Sequence, residues 1–216
     1  MTFPLMPAPA MYIPPAPTVS YIGRNATTGD GFPFGNQTLT SGLKLVVVCC
    51  EFAGSPQASG VTLGGVAMTQ AAQTGVVGGR SASVWFLETS LSGSQAISGT
   101  GGSGRAALDV YEVRGYRSST PYRTGTSVSS LSATSVTESV STSTNTVLIG
   151  SGVGGFATIT VSADVGPAPS VVTATYEFAT SHYSWTQVPT VTGPTLYTVD
   201  SGGVASSYNI AVAAWR

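Results

Sequence analysis

The chain has 216 residues, and its eight basic and nine acidic side chains give a net charge of −1 at pH 7. Charged residues make up 8% of the sequence, where an ordinary soluble domain carries roughly 25%. This balance argues against a nucleic-acid partner, which needs clustered Lys and Arg. A membrane span would need an apolar run of about 18 residues, and the sequence has none. Little charge repulsion keeps copies of such a chain apart, so we expect a homo-oligomer, with a trimer favoured.

Residues 1–17 predict an extended arm rather than a folded element. Six of them are proline, and this spacing forbids a helix and favours a polyproline-like conformation. The segment lacks the basic start of a signal peptide. Its apolar side chains have no core of their own, so we expect them to bind a neighbouring protein, with a disordered tail as the alternative. These anchors are Phe3, Leu5, Met6, Met11, Tyr12 and Ile13.

From Thr18 onward, short apolar or alternating segments are separated by Gly and Pro clusters, and no segment has a helical period of credible length. This spacing predicts an all-β chain, a jelly-roll-like antiparallel β-sandwich that occupies residues 18–216 as one domain. The Ser- and Thr-rich stretch 118–146 predicts edge strands and loops of the same domain, with a linker as the alternative. The expected strands are 18–23, 43–52, 83–89, 105–114, 147–150, 157–163, 171–179, 195–199 and 208–215.

Cys49 and Cys50 are neighbours within the expected strand 43–52. Neighbouring residues on a strand point to opposite faces, so a disulfide between them would need a distorted backbone. The sequence therefore predicts two buried free thiols and a chain that folds in a reducing cytoplasm.

Candidate catalytic and cofactor motifs are weak. Residues 150–155 match GxGxxG, but the next segment predicts a strand instead of the helix that a dinucleotide needs, so we expect a glycine-rich hairpin. His182 is the only histidine and no GxSxG elbow accompanies it, which indicates a structural role. Glu88, Asp109 and Glu112 are expected to face outward, although a glycosidase pair of distant carboxylates stays open. We expect no enzyme activity, no cofactor and no metal site.

Two aromatic and basic groups are candidate contact residues. The only basic patch of the sequence predicts either a protein interface or a solvated loop, and it comprises Arg114, Tyr116, Arg117, Tyr122 and Arg123. Tyr183 and Trp185 alternate along one segment and therefore share a face. They could stack on a sugar ring, or they close the end of the sandwich core.

Several short strings occur in an order that resembles a known module: Tyr21-Ile-Gly23, residues 43–50, Val61-Thr-Leu-Gly-Gly-Val66, Val84-Trp-Phe86 and Arg105-Ala-Ala-Leu-Asp-Val-Tyr-Glu-Val-Arg-Gly115. They resemble a β-sandwich module of tailed-phage and gene-transfer-agent virion proteins, whose members are head decoration, spike, fibre or tail parts without a transferable catalytic set. The resemblance implies a structural protein of the virion, assembled in the host cytoplasm, with the major capsid protein or other virion proteins as partners. The chain lacks a long stalk, which favours a head-bound decoration or cement protein. The alternative is a carbohydrate-binding adhesin of a spike or tail fibre that contacts a host-surface glycan.

Overall fold

The computed structural model describes residues 17–27, 35–54, 57–101, 105–155, 159–177 and 180–216. The predicted arm, apart from Pro17, lies outside the described residues. The described residues form strands and turns without a helix, which confirms the all-β prediction. Accordingly, this part of the chain holds no helix that is long and apolar enough to cross a membrane.

The first half of the chain forms two antiparallel sheets. Sheet A has the strand order 1-9-3-7-6, and sheet B has the order 2-8-4-5. The first strand pairs with the last, the second with the eighth and the third with the seventh, which is the nested pairing of a jelly roll. The strands are β1 (Thr18–Thr27), β2 (Gly35–Leu39), β3 (Lys44–Ala53), β4 (Gly60–Leu63), β5 (Val66–Ala67), β6 (Thr69–Gln73), β7 (Arg80–Thr89), β8 (Gly93–Thr100) and β9 (Arg105–Arg114).

The second half forms two further antiparallel sheets. Sheet C has the order 10-17-12-15-14, and sheet E has the order 11-16-13. The Ser- and Thr-rich stretch 118–146 supplies an edge strand to each of them, which confirms that it belongs to the fold and is not a linker. The strands are β10 (Arg123–Val128), β11 (Ser135–Thr142), β12 (Val147–Gly155), β13 (Thr160–Ala163), β14 (Ser170–Glu177), β15 (Thr180–Gln187), β16 (Gly193–Asp200) and β17 (Asn209–Trp215).

The two halves have the same topology. Replacing β1, β9, β3, β7 and β6 of sheet A by β10, β17, β12, β15 and β14 reproduces the order of sheet C, and β2, β8 and β4 correspond in the same way to β11, β16 and β13. Only the two-residue strand β5 lacks a counterpart among the described strands. The jelly-roll-like sandwich is therefore confirmed as the architecture, and it occurs twice in tandem. That residues 18–216 fold as one domain stays a prediction.

The four sheets stack in the order B, A, C, E. One apolar cluster lies between B and A, a second between A and C, and a third between C and E. Strands of the inner sheets are consequently buried on both faces, as in β3, where Cys50 belongs to the first cluster and Cys49 to the second. Both cysteines are free and buried, as predicted. We call the interface between sheets A and C the seam.

The glycines of the GxGxxG match lie inside a strand, so the predicted hairpin is wrong. Gly150, Gly152 and Gly154 alternate along β12, and a Cβ atom at each would overlap the ring of an aromatic residue on a neighbouring strand or in the segment before β17. Those rings are Trp185, Tyr183 and Tyr208. The glycines therefore make room for the aromatic core between sheets C and E.

Candidate functional site

Charged side chains are distributed unevenly between the interior and the surface. Asp109 is fully buried and Glu112 is 3% exposed, so the prediction that they face outward is wrong. β9 pairs with β1 and β3 inside sheet A, and the sheets stacked on either side cover both of its faces. Glu88 is exposed as predicted. The exposed charged residues of the described chain are Glu88, Arg117, Arg123, Asp164 and Arg216.

Glu112 belongs to a buried clasp beside the turn at residues 40–43. Its carboxylate accepts hydrogen bonds from the Thr40 backbone N (2.8 Å) and hydroxyl. The fully buried Lys44 Nζ donates to the carbonyl oxygens of Thr40 (2.6 Å), Gly42 (3.1 Å) and Leu91 (2.6 Å). Burial lowers the pKa of Lys44, and the Glu112 carboxylate opposes that shift. These charges are satisfied within the protein, which indicates a structural role.

Arg114, the first residue of the predicted basic patch, belongs to the same clasp. Its guanidinium donates to Thr40 Oγ1 and to the Ser41 carbonyl, each at 2.6 Å, and lies 3.7 Å from the Glu112 carboxylate. Tyr116 is half-buried against the apolar part of the seam. Burial, followed by the nearby Glu88, raises the pKa of Tyr116 to about 12. Both side chains are therefore anchored in the fold.

The remaining residues of the patch converge with a residue that sequence reasoning missed. β10 pairs with β17, so that Arg123 lies opposite Ala214, and this register brings Arg216 beside Tyr122. The Arg216 and Arg123 guanidinium carbons lie 5.0 and 5.6 Å from the centre of the Tyr122 ring, within cation–π range. The Arg117 backbone N donates to the Arg216 carbonyl at 2.6 Å. We call Arg117, Tyr122, Arg123 and Arg216 the arginine corner.

The arginine corner borders a surface pocket of about 340 Å³. Two arginines and no acidic residue line it, and the lining comprises Arg117, Ser118, Thr120, Pro121, Tyr122 and Arg216. The Tyr122 hydroxyl donates to the Ser141 carbonyl at 3.1 Å, which holds the ring in place. Guanidinium groups bind carboxylates through two parallel hydrogen bonds. The corner is therefore suited to an acidic partner.

Tyr183 and Trp185, the other candidate contact residues, do not lie on the surface. Both are fully buried, and their rings stack with centroids 6.0 Å apart and planes at 25° between sheets C and E. Neither ring has a face open to a sugar, so burial favours their role in closing the core. His182, which directly precedes Tyr183 in sequence, lies on the opposite face of β15. It is 1% exposed, and burial, with Arg24 nearby, lowers its pKa to about 3.

Comparison of the chain with protein-family models, with curated protein sequences and with solved structures yields no match. The resemblance to virion modules therefore stays a prediction. Within the described ranges, no three His, Cys, Asp or Glu side chains come together as a metal site. A function has to be argued from the arginine corner and the surface around it.

Proposed function

We propose that this protein is a non-enzymatic structural component of a phage-like virion, a decoration or cement protein that binds the head. Its arginine corner contacts an acidic surface of the major capsid protein or of another virion protein. One observation carries the proposal: the exposed arginines of the described chain gather at one corner of a surface that otherwise bears little charge.

The outer sheets support this role because they present hydroxyl groups instead of charge. In β11, the exposed positions include Thr137, Ser139 and Ser141, and in β13 they are Thr160 and Ser162. Such faces repel neighbouring copies only weakly, which suits dense assembly on a shell and the proposed homo-oligomer. Jelly rolls also recur in viral capsid and lectin domains, an analogy of fold that agrees with the proposal without establishing it.

Residues 1–17 would supply the second attachment. Each of their apolar side chains contributes roughly 1.5–3 kcal/mol if fully buried, while association costs roughly 4–15 kcal/mol. Several anchors are therefore needed, and charge pairs at the corner would mainly orient the docking and speed it.

The test is addition of the purified protein to shells that are assembled from capsid protein alone. The triple variant R117Q/R123Q/R216Q and a chain without residues 1–17 should each bind at least about tenfold more weakly, which corresponds to 1.4 kcal/mol. Glu88→Gln, which changes an exposed charge outside the pocket lining, should bind like the unmodified chain. Full occupancy by both the triple variant and the shortened chain would contradict the proposal.

A carbohydrate-binding adhesin is the second candidate, and a different pocket favours it. This pocket, of about 320 Å³, lies against the paired strands β4 and β8, and its lining includes Trp85, Met68 and hydroxyl-bearing residues but no charged side chain. Thr62 Oγ1 and Ser98 Oγ lie 2.7 Å apart at its rim. Glycan-array binding that is lost in Thr62→Val but kept in the arginine triple variant would favour this candidate over attachment to a shell.

A further inference from the structure

The seam has an apolar end and a polar end. Leu45, Val47, Val113, Ile149 and Trp215 fill the apolar end. Farther along the same strands, many of the positions facing the seam are polar or charged. In sheet A these positions hold Arg24, Glu51, Arg80, Arg105 and Asp109, and in sheet C they hold Ser151, His182, Ser184 and Asn209.

The strand register sets these side chains side by side. Arg105 and Arg80 flank Ala53 across three neighbouring strands, and the next row that faces the seam has Glu51 between Ala107 and Ala82. In sheet C, His182 and Asn209 flank Val153. The neighbours of Glu51, Arg80 and Arg105 in these rows are therefore alanines, whose side chains are small.

Part of this polar end is satisfied within the protein. Asp109 accepts hydrogen bonds from Ser184 Oγ at 2.6 Å and from the Tyr21 hydroxyl at 3.2 Å. Glu51 Oε1 accepts one from Ser151 Oγ at 3.1 Å. Arg80 Nη1 donates to Ser207 Oγ at 2.6 Å and to Ser206 Oγ at 3.3 Å. Arg24 lies 3.8 Å from both carboxylates, too far for a hydrogen bond. The two carboxylates thus join sheet A to sheet C through serine hydroxyls.

Other polar atoms of this end have no hydrogen-bond partner. They are the three guanidinium nitrogens of Arg24, Arg80 Nε, Glu51 Oε2, His182 Nδ1 and both amide atoms of Asn209. Asn209 is fully buried and His182 is 1% exposed. More than about 90% of buried polar groups are paired, and each unpaired group costs roughly 1–3 kcal/mol. So many unpaired atoms in one place, most of them donors, point to a ligand that accepts hydrogen bonds.

The charge of the polar end indicates the same kind of ligand. Arg24, Arg80 and Arg105 supply three positive charges against the carboxylates of Glu51 and Asp109. Burial and the neighbouring Asp109 raise the pKa of Glu51 well above its usual value. All three arginines also act on His182, because each contributes to lowering the pKa of that ring. Among the described residues of the polar end, arginines therefore outnumber carboxylates.

We propose that the polar end of the seam binds a small anion, either a tetrahedral oxyanion or a carboxylate, through the guanidinium of Arg24, Arg80 Nε and the Asn209 amide. Arg24 and Arg80 belong to sheet A, whereas Asn209 belongs to sheet C. The anion therefore bridges the two sandwich units and strengthens their packing. This site is separate from the arginine corner and does not depend on the function proposed above.

Calorimetric titration of the full chain with phosphate, sulfate or acetate, each against chloride at equal ionic strength, tests the site. We expect saturable binding with one anion per chain and a melting temperature that rises with anion concentration. A preference for phosphate and sulfate would indicate a tetrahedral oxyanion, and a preference for acetate a carboxylate. Weak binding of all three that does not saturate would overturn the proposal.

Two variants locate the binding. Asn209→Leu replaces unpaired amide atoms by an apolar group of similar size, so it should fold without anion yet bind at least about tenfold more weakly, a change of 1.4 kcal/mol. Arg117→Gln, at the arginine corner, should bind like the unmodified chain. If Arg117→Gln weakens binding and Asn209→Leu does not, the anion binds at the arginine corner and the proposal is overturned. If Asn209→Leu does not fold, a selenate soak of crystals of the full chain decides, since its anomalous peak must lie between Arg24 and Asn209.

Discussion

Gly152 lies in the middle of β12, where the ring of Tyr183 on the paired strand β15 packs across it. A Cβ atom at this position would come closer than 3.0 Å to atoms of that ring. The ring has no room to retreat, because it is fully buried and stacks on Trp185. The substitution Gly152→Ala must therefore displace the aromatic core between sheets C and E.

The expected cost follows from two contributions. Overpacking a filled core costs about 1–3 kcal/mol, and disturbing an aromatic pair costs about 0.5–1.5 kcal/mol more. Gly152→Ala should therefore lower the free energy of unfolding by about 1.5–4.5 kcal/mol. This is less than the 5–15 kcal/mol that is typical of a folded domain, so we expect the variant to fold and to be measurable.

Urea unfolding followed by fluorescence measures this change, and Gly75→Ala is the matched control. Gly75 has no atom within 4 Å of the added Cβ, so its substitution should leave stability unchanged or raise it by up to about 1 kcal/mol. In a double-mutant cycle, Tyr183→Leu should relieve at least about 1 kcal/mol of the cost of Gly152→Ala. A cost below about 0.5 kcal/mol for Gly152→Ala, equal to the control, would refute the aromatic packing described for this strand.

Three further predictions concern buried groups. Folding lowers the pKa of His182 from 6.5 to about 3, so the unfolded chain binds a proton that the folded chain does not, and stability should fall on acidification through this range by up to about 1.4 kcal/mol per pH unit. The urea midpoint of unfolding, measured at several pH values, should depend less steeply on pH in His182→Gln than in the unmodified chain. An equally steep pH dependence in both would contradict this. Burial raises the thiol pKa of Cys49 and of Cys50, so a thiol reagent should label both only after denaturation, and rapid labelling of the native protein would be inconsistent with the fold. Lys44→Met leaves three carbonyl oxygens without their donor and should cost about 2 kcal/mol or more in thermal unfolding; an unchanged midpoint would count against the clasp.

Many of the strands could be predicted because strands of the inner sheets have a distinctive apolar sequence. A strand that is covered on both faces has a continuous apolar sequence, as in β3, and the prediction of 43–52 differs from Lys44–Ala53 by one residue at each end. The duplication was not visible, because corresponding strands share alternation and position but few identical residues. The contact between two sandwich units also explains the error at Asp109, whose burial depends on sheet C.

The errors at the site come from partners that are distant in sequence. Local sequence predicts a turn at the glycines of β12, because Tyr183 and Trp185, which cover two of them, occur about thirty residues later. Arg216 was missed because only the pairing of β10 with β17 brings it to Tyr122. Local sequence patterns do not show which distant strands pair.

Quantification of this chain in purified phage-like particles tests the proposed function most directly. The proposal predicts a fixed ratio of the chain to the major capsid protein and, in a low-resolution map of the head, regularly spaced density for a pair of jelly rolls with the arginine corner toward the shell. Particles that contain the capsid protein but none of this chain, with the chain found only in the particle-free fraction, would contradict it.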